Sequence, residues 1–311
     1  MSLNALLDQG VELDPHYIPS MNSDHLPMTL CAMAGLGGDQ LALVRHREQY
    51  LPRLRKIETV SMLRSWRDGI GRREEYPGLR QYLLNEVRES GIAETVASYL
   101  PEFLPSLAFE AFHPMIRLGY AIEAKHQGEV ANALAYWITS HRDVPIQAND
   151  RMDFCGRLQE QSDEKPAGLE GRFGQALQTL IETDSYPVGI AENFEACAMQ
   201  SLHIYRATRN FFALHMVTAT LAARICAPLV DQQILLASLT GALLAAHKIL
   251  GSPEFSPRQA TPPPTRLDAE HCYKYAYACV SEHRAYGQPR YLDEIDGFKK
   301  QGLLPAWVIS G

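Results

Sequence analysis

The stretch P-M-I-R-L-G-Y-A-I-E-A-K, Pro114 to Lys125, carries apolar residues at Met115, Ile116, Leu118, Ala121 and Ile122. That spacing follows the turn of a helix, not the alternation of a strand. Proline suits its first turn, where one backbone N–H has no partner in any case and φ must lie near the ring's fixed value. After a break at Gln127-Gly128 the pattern resumes in E-V-A-N-A-L-A-Y-W-I-T, Glu129 to Thr139. Two consecutive helices are therefore expected here.

The same period extends through the rest of the chain. Ala191 to Ala227 reads as one long helical region, interrupted near Thr208-Arg209-Asn210 and ended by Pro228. Leu229 to Leu250 reads as another, stopped by Gly251 and Pro253. Ser252 to Arg266 holds five prolines and is expected to be an extended surface loop. Asp268 then offers an N-cap, for a helix running to about Tyr286 with Gly287 at its end. Alternating patterns are scarce, and T-V-S-M-L at Thr59 to Leu63 is about the best of them. The expected fold is mainly α: a single large, bundle-like helical domain over residues 1–311 with few or no strands. The segment from Asn149 to Pro187 is expected to be irregular.

Apolar residues make up 46% and charged residues 21% of the 311, enough to build a sizeable core. The net charge of −7 argues against a nucleic-acid backbone as the main ligand, because such proteins normally carry the opposite excess. The basic run around His46 to Arg73 is interleaved with Glu48, Glu58, Asp68, Glu74 and Glu75. Six scattered cysteines without a C-x-x-C pair point to a reducing, cytoplasmic setting. The N-terminal residues do not form a signal peptide. The most apolar stretch, Gln233 to Leu250, contains Ser238, Thr240, His247 and Lys248 and reads as a core helix, so no membrane partner is expected.

Gly35-Leu36-Gly37-Gly38 lacks both the spacing and the strand–helix context of a dinucleotide loop, and is read as a helix end. No nucleophile elbow, P-loop or H-E-x-x-H motif is present. The eleven histidines are more informative. His25 and His113 stand at helix starts ahead of prolines, where the partial positive charge of the helix end favours the neutral, metal-binding imidazole. Capping or packing roles would use the same positions. His215 lies among Phe211, Phe212, Leu214, Met216 and Val217, and needs partners for both ring nitrogens. Ligation and local hydrogen bonding would serve equally well there. His247 suits a helix C-terminus, and His16, His46, His126, His141, His203 and His283 have the polar settings of surface residues. His271 and Lys274 share one helical face, yet Cys272, Ala276, Cys279 and Val280 form the more apolar one. Periodicity alone therefore makes the His271 face a solvated one, with Glu270 and Lys274 as an i,i+4 ion pair.

Several short patterns, taken in order, resemble the questin oxidase-like family. They are D-H-L-P-M (Asp24 to Met28), F-H-P-M-I-R-L-G-Y-A (Phe112 to Ala121), A-L-A-Y-W (Ala133 to Trp137), L-H-M-V-T (Leu214 to Thr218) and E-H-C-Y-K…P-R-Y-L (Glu270 to Leu292). The resemblance implies a mononuclear non-haem iron held by His25, His113, His215 and His271, with Lys274 as a carboxylated lysine formed from CO₂. Asp24 stands where the family often has Asn. An ammonium has no lone pair to give, whereas a carbamate offers anionic oxygens. Zinc and manganese suit a similar donor set. Phe112, Met115, Tyr273 and Tyr277, beside the implied ligands, are expected to line a substrate pocket.

The function implied is an oxidoreductase that uses O₂ to oxidise or cleave an aromatic or polycyclic small molecule. It would be a mono- or dioxygenase, including Baeyer–Villiger-type chemistry, with NADPH as an external reductant. A zinc or manganese metallohydrolase and a non-catalytic helical binding protein are the alternatives.

Overall fold

The computed structural model describes residues 2–58, 60–144, 153–164, 172–183 and 185–308. Among these residues there are fourteen α-helices and no strand. In chain order they are α1 (Leu3–Asp8), α2 (Leu26–Gly35), α3 (Gln40–Tyr50), α4 (Tyr76–Ser90), α5 (Ile92–Phe103), α6 (His113–Glu123) and α7 (Gln127–Ser140). They continue as α8 (Phe154–Glu164), α9 (Phe173–Glu182), α10 (Phe194–Thr208), α11 (Phe211–Cys226), α12 (Gln232–Ile249), α13 (Ala269–Tyr286) and α14 (Arg290–Lys300). They form a single helical domain.

Local chemistry sets many of the boundaries. Pro114 occupies the first turn of α6, as its fixed φ suggests. The region from Ala191 divides into α10 and α11 at Arg209, which adopts left-handed φ, and Asn210, whose side chain caps α11. Asp268 caps α13 by accepting from the His271 N–H, and Gly287 closes the helix at φ 68°. Gly35 to Gly38 is the end of α2, with Gly37 at φ 93°. Residues 250–268 carry no helix and are largely exposed.

One expectation needs correcting. The stretch from Asn149 to Pro187 contains α8 and α9, whose apolar residues Phe154, Leu158, Phe173, Leu177 and Leu180 are buried. Apolar residues at helical spacing in each half were enough to form a face, and the polar residues around them masked it. Residues 149–152, 165–171 and 184 of that stretch lie outside the described residues. In T-V-S-M-L, Thr59 also lies outside them, and 60–63 form no strand. Gln233 to Leu250 falls short of a membrane span, as expected; among the described residues, Phe211–Leu229 meets the length and apolarity of one. It is 72% buried inside the protein.

Four helices form a closed circuit: α2 packs on α6, α6 on α11, α11 on α13, and α13 back on α2. Two glycines set how closely they approach. A Cβ on Gly119 of α6 would lie 2.8 Å from Ala222 Cα of α11, and one on Gly35 of α2 would lie 2.2 Å from the Tyr277 ring of α13. Larger residues would push these pairs apart. The circuit brings the N-terminal ends of all four helices toward one point.

Candidate metal centre

Each helix of the circuit supplies one histidine from its first turns. His25 is the N-cap residue of α2, His113 opens α6, His215 lies in the second turn of α11, and His271 is the third residue of α13. All four are buried, and one ligand atom from each lies within 4.8 Å of the others. The His25 and His113 rings stack at 4.7 Å, and His271 meets His25 and His215 edge-on at 4.6 and 5.1 Å.

The hydrogen bonds define the arrangement. Nδ1 of His113 meets the Glu110 carbonyl, and Nδ1 of His215 meets the Phe211 carbonyl at 2.9 Å. Nδ1 of His271 meets Asp268 Oδ1 at 2.6 Å, and Nδ1 of His25 faces Glu270 Oε2 at 3.7 Å. The groups bonded to His113, His215 and His271 are acceptors, so in these three Nδ1 carries the proton and Nε2 is left with a bare lone pair, while His25 Nδ1 has no hydrogen-bond partner. These lone pairs converge. Nε2 of His25 lies 2.7 Å from Nε2 of His113, and that of His271 lies 3.3 Å from that of His215. The two lone pairs of His215 and His271 repel at that distance, and a cation between them removes the conflict. Nitrogens bound to one first-row metal at about 2.1 Å are separated by about 3 Å when adjacent and about 4.2 Å when opposite. The donor set therefore fits a metal ion.

Electrostatics keep the rings neutral. Burial first, then the Lys274 charge, hold His25 and His113 well below the ordinary imidazole value. Burial and the neighbouring His113 and His271 do the same to His215, and burial brings His271 to about 4. Lys274, one turn along α13 from His271, is 1% exposed. Burial pulls its ammonium down to about 8, against the pull of Glu270, Asp268 and Asp24. A buried lysine with weakened proton affinity is the form that can react with CO₂. Converging helix N-termini favour an anion at the same place.

The supporting groups come from segments distant in sequence. Glu270 accepts from Tyr17 and from Arg53 Nη1 at 3.1 Å, and Arg53 stacks on the Tyr17 ring at 3.8 Å. Tyr17 in turn accepts from the His25 N–H at 3.0 Å. The expected Glu270–Lys274 surface pair is thus replaced by buried residues with other partners: Glu270 is 3% exposed and turns to Tyr17 and Arg53. Its helix is covered on both faces, so its polar stripe meets the cluster instead of water. Asp24, the departure from the family pattern, directs its carboxylate to the Leu26 N–H at 2.8 Å and toward Arg117 at 3.8 Å. Glu110, Ala111 and Phe112 all have left-handed φ of 51–68°, and this turn delivers the Glu110 carbonyl to His113. Such backbone is costly for non-glycine residues and tends to concentrate at functional sites.

The expected pocket residues are placed differently from the ligands. Phe112 and Met115 are fully buried, with the Phe112 ring 6.1 Å from Phe173. Tyr273 stacks on Trp307 at 5.7 Å, and Tyr277 packs on Tyr120 at 5.7 Å. Of the aromatic rings against the cluster, Phe211 lies nearest, 4.6 Å from His271 and 4.9 Å from His215, with Tyr17 6.0 Å from His25 and Phe212 6.3 Å from His215. Phe211 is 44% exposed, so it stands between the imidazoles and solvent. Its position just before L-H-M-V-T was the available signal. The surface reading of the remaining histidines also fails. His16, His46, His126 and His203 are buried, and His141 and His283 are half-buried. Their burial arises from helices distant in sequence, which polar neighbours in the chain do not reveal. His247, read as a helix-end cation, is fully buried between Gln161 and the Pro253 carbonyl.

No curated protein matches the chain. The sequence model of the questin oxidase-like family matches residues 22–284, a span that contains all four histidines and Lys274. That match points to an oxidoreductase acting on aromatic compounds. The chain belongs to the questin oxidase-like family.

Proposed function

We propose that the chain is a non-haem iron oxidoreductase that uses O₂ to oxidise or cleave an aromatic or polycyclic small molecule. The observation that carries this reading is the convergence of four buried imidazoles whose ligand atoms lie within 4.8 Å of one another. His25, His113, His215 and His271 would hold the ion, with carboxylated Lys274 as the anionic ligand. Bound iron would supply the redox chemistry that O₂ requires.

The protein's own part is to fix and shield that centre. Asp268 holds His271 in one tautomer and makes it a better donor. Phe211 offers a flat apolar face beside two of the imidazoles, suited to an aromatic ring. The chain carries no nicotinamide-binding motif, so NADPH is assigned as an external reductant. Its six cysteines are unpaired, which suits the reducing cytoplasm.

The test is elemental analysis of protein purified without added metal, combined with O₂ uptake on a panel of polyhydroxylated aromatics. Iron with substrate-dependent O₂ uptake supports the reading. Zinc or manganese without O₂ uptake contradicts it and favours a hydrolase.

A further inference from the structure

Two aromatic routes leave the histidine cluster, and they differ in chemistry. One runs from His215 through Phe211 and Phe212 to Phe173, 5.0 Å from Phe212, and on to Phe112 at 6.1 Å. All of its rings are phenylalanine, which resists oxidation. The other starts at Tyr17, whose ring meets His25 at 6.0 Å and whose hydroxyl accepts from the His25 backbone N–H at 3.0 Å. Tyr50 lies 6.3 Å from Tyr17, and His46 lies 4.4 Å from Tyr50. Tyr273 follows at 6.0 Å from His46, and Trp307 stacks on Tyr273 at 5.7 Å. Apart from His46, every ring of this second route is tyrosine or tryptophan, the aromatic side chains that give up an electron most readily.

The route is held together from segments far apart in sequence. The Arg53 guanidinium lies over both the Tyr17 and Tyr50 rings, at 3.8 and 4.9 Å, and fixes one against the other. Tyr17 is 2% exposed and donates its hydroxyl to Glu270. A carboxylate on a phenolic O–H provides a place for the proton when the ring loses an electron. His46 is buried and fills the gap between Tyr50 and Tyr273. Trp307 is half-buried and packs on α2's end, where a Cβ on Gly38 would come within 3.1 Å of the indole. The route therefore begins beside a proposed ligand and ends at an indole that solvent reaches.

We propose that Tyr17, Tyr50, Tyr273 and Trp307 form an electron-transfer chain that carries an oxidising equivalent from the metal centre to the surface when O₂ reacts there without substrate. This rests on the proposed function and gives the four rings a protective role apart from substrate turnover. One electron passes from Tyr17 to the ion, and the phenolic proton passes to Glu270. Tyr50 then refills Tyr17, which takes its proton back. Tyr273 refills Tyr50 across His46, and Trp307 refills Tyr273. Tyr50 and Tyr273, both half-buried, release and regain their protons through water. A thiol or ascorbate-type reductant in solution returns the last electron to Trp307. The ion ends one electron more reduced, and the reductant one electron oxidised.

The experiment loads the full chain with iron(II) and mixes it with air-saturated buffer free of aromatic substrate and reductant. Freeze-quenched electron paramagnetic resonance reads the radical, and peptide mass spectrometry reads oxidation per bound iron. The wild type should show a tyrosyl or tryptophanyl radical and added oxygen on Tyr273 and Trp307. Tyr50→Phe, which leaves every ring touching the cluster in place, should keep its iron, hold the radical at Tyr17 and lose the marks on Tyr273 and Trp307. Tyr17→Phe should lose radical and marks together and move the oxidation to the ligand histidines. The proposal is overturned if iron-loaded wild type forms no such radical, or if the marks per bound iron persist in either variant. Iron content on the same samples separates the two readings. Wild type that holds iron without the radical overturns the chain alone, and wild type that binds no iron overturns both.

Discussion

Two sets of buried histidines in this molecule differ in one respect. His247 has Gln161 Oε1 at 2.9 Å on Nδ1 and the Pro253 carbonyl at 3.1 Å on Nε2. His126 accepts from the Glu129 N–H at 3.0 Å and meets Asp8 Oδ1 at 3.1 Å. Both rings are fully satisfied by protein and act as structural ties. In the cluster the Nδ1 atoms of His113, His215 and His271 bond protein acceptors, and the Nε2 atoms meet in the pairs His25–His113 and His215–His271. Burial is nearly the same in the two sets, so burial does not mark a ligand. Nor does an unpaired nitrogen, which buried His46 and His203 also have; convergence of four imidazoles does.

The sharpest way to break this comparison is to remove one ring from each set. His215→Ala should reduce metal content to less than a tenth of the wild-type value. His247→Ala should keep its metal and lose about 1–3 kcal/mol of stability, because two buried partners lose their bonds. Metal analysis and denaturant unfolding check both. Equal metal loss in the two variants would remove the distinction. Lys274→Ala should likewise lose the metal, and Lys274→Glu should restore part of it by supplying a carboxylate directly. Full occupancy in Lys274→Ala would show that the lysine is not a ligand.

The next effect is on pH dependence. A histidine whose folded pKa is depressed binds fewer protons folded than unfolded. Its contribution is therefore complete above the unfolded value of about 6.5 and is lost as pH falls toward the folded one. Burial places both His247 and His271 at about 4 when folded. Metal-free protein should thus lose stability between roughly pH 6.5 and 4, on the order of 3 kcal/mol from His247 alone. Metal should suppress the part of this loss that comes from the cluster, because protons must then compete with the ion, and leave the His247 part in place. Unfolding midpoints at several pH values, with and without metal, measure the two parts. A smaller effect should follow from Asp268→Asn, which replaces the anionic partner of His271. Metal affinity should fall about 10- to 100-fold, read by competition with a chelator.

How much of this was legible in the chain follows the same division between local and distant chemistry. The limits of α13 could be read because Asp268 and Gly287 act on their own helix. The split at Arg209-Asn210 was visible for the same reason. The ligand set emerged from the order of short family patterns, since no spacing connects His25, His113, His215 and His271. The face of α13 was misread, because Glu270 and Lys274 look like solvent-facing charges until Tyr17 and Arg53 from the N-terminal region cover Glu270. The Glu110–Phe112 turn had no sequence signal, because it places three non-glycine residues at left-handed φ. His16, expected at the surface, is buried because Tyr136 and Ser23 close over it only in the fold.

The central claim is that four imidazoles share one ion. Metal analysis and X-ray absorption on protein purified without added metal test it most directly. The account predicts about one first-row metal ion per chain with several nitrogen donors near about 2.1 Å, kept in His247→Ala and lost in His215→Ala. Wild-type protein that is metal-free, and that binds no added iron, zinc or manganese, would contradict it.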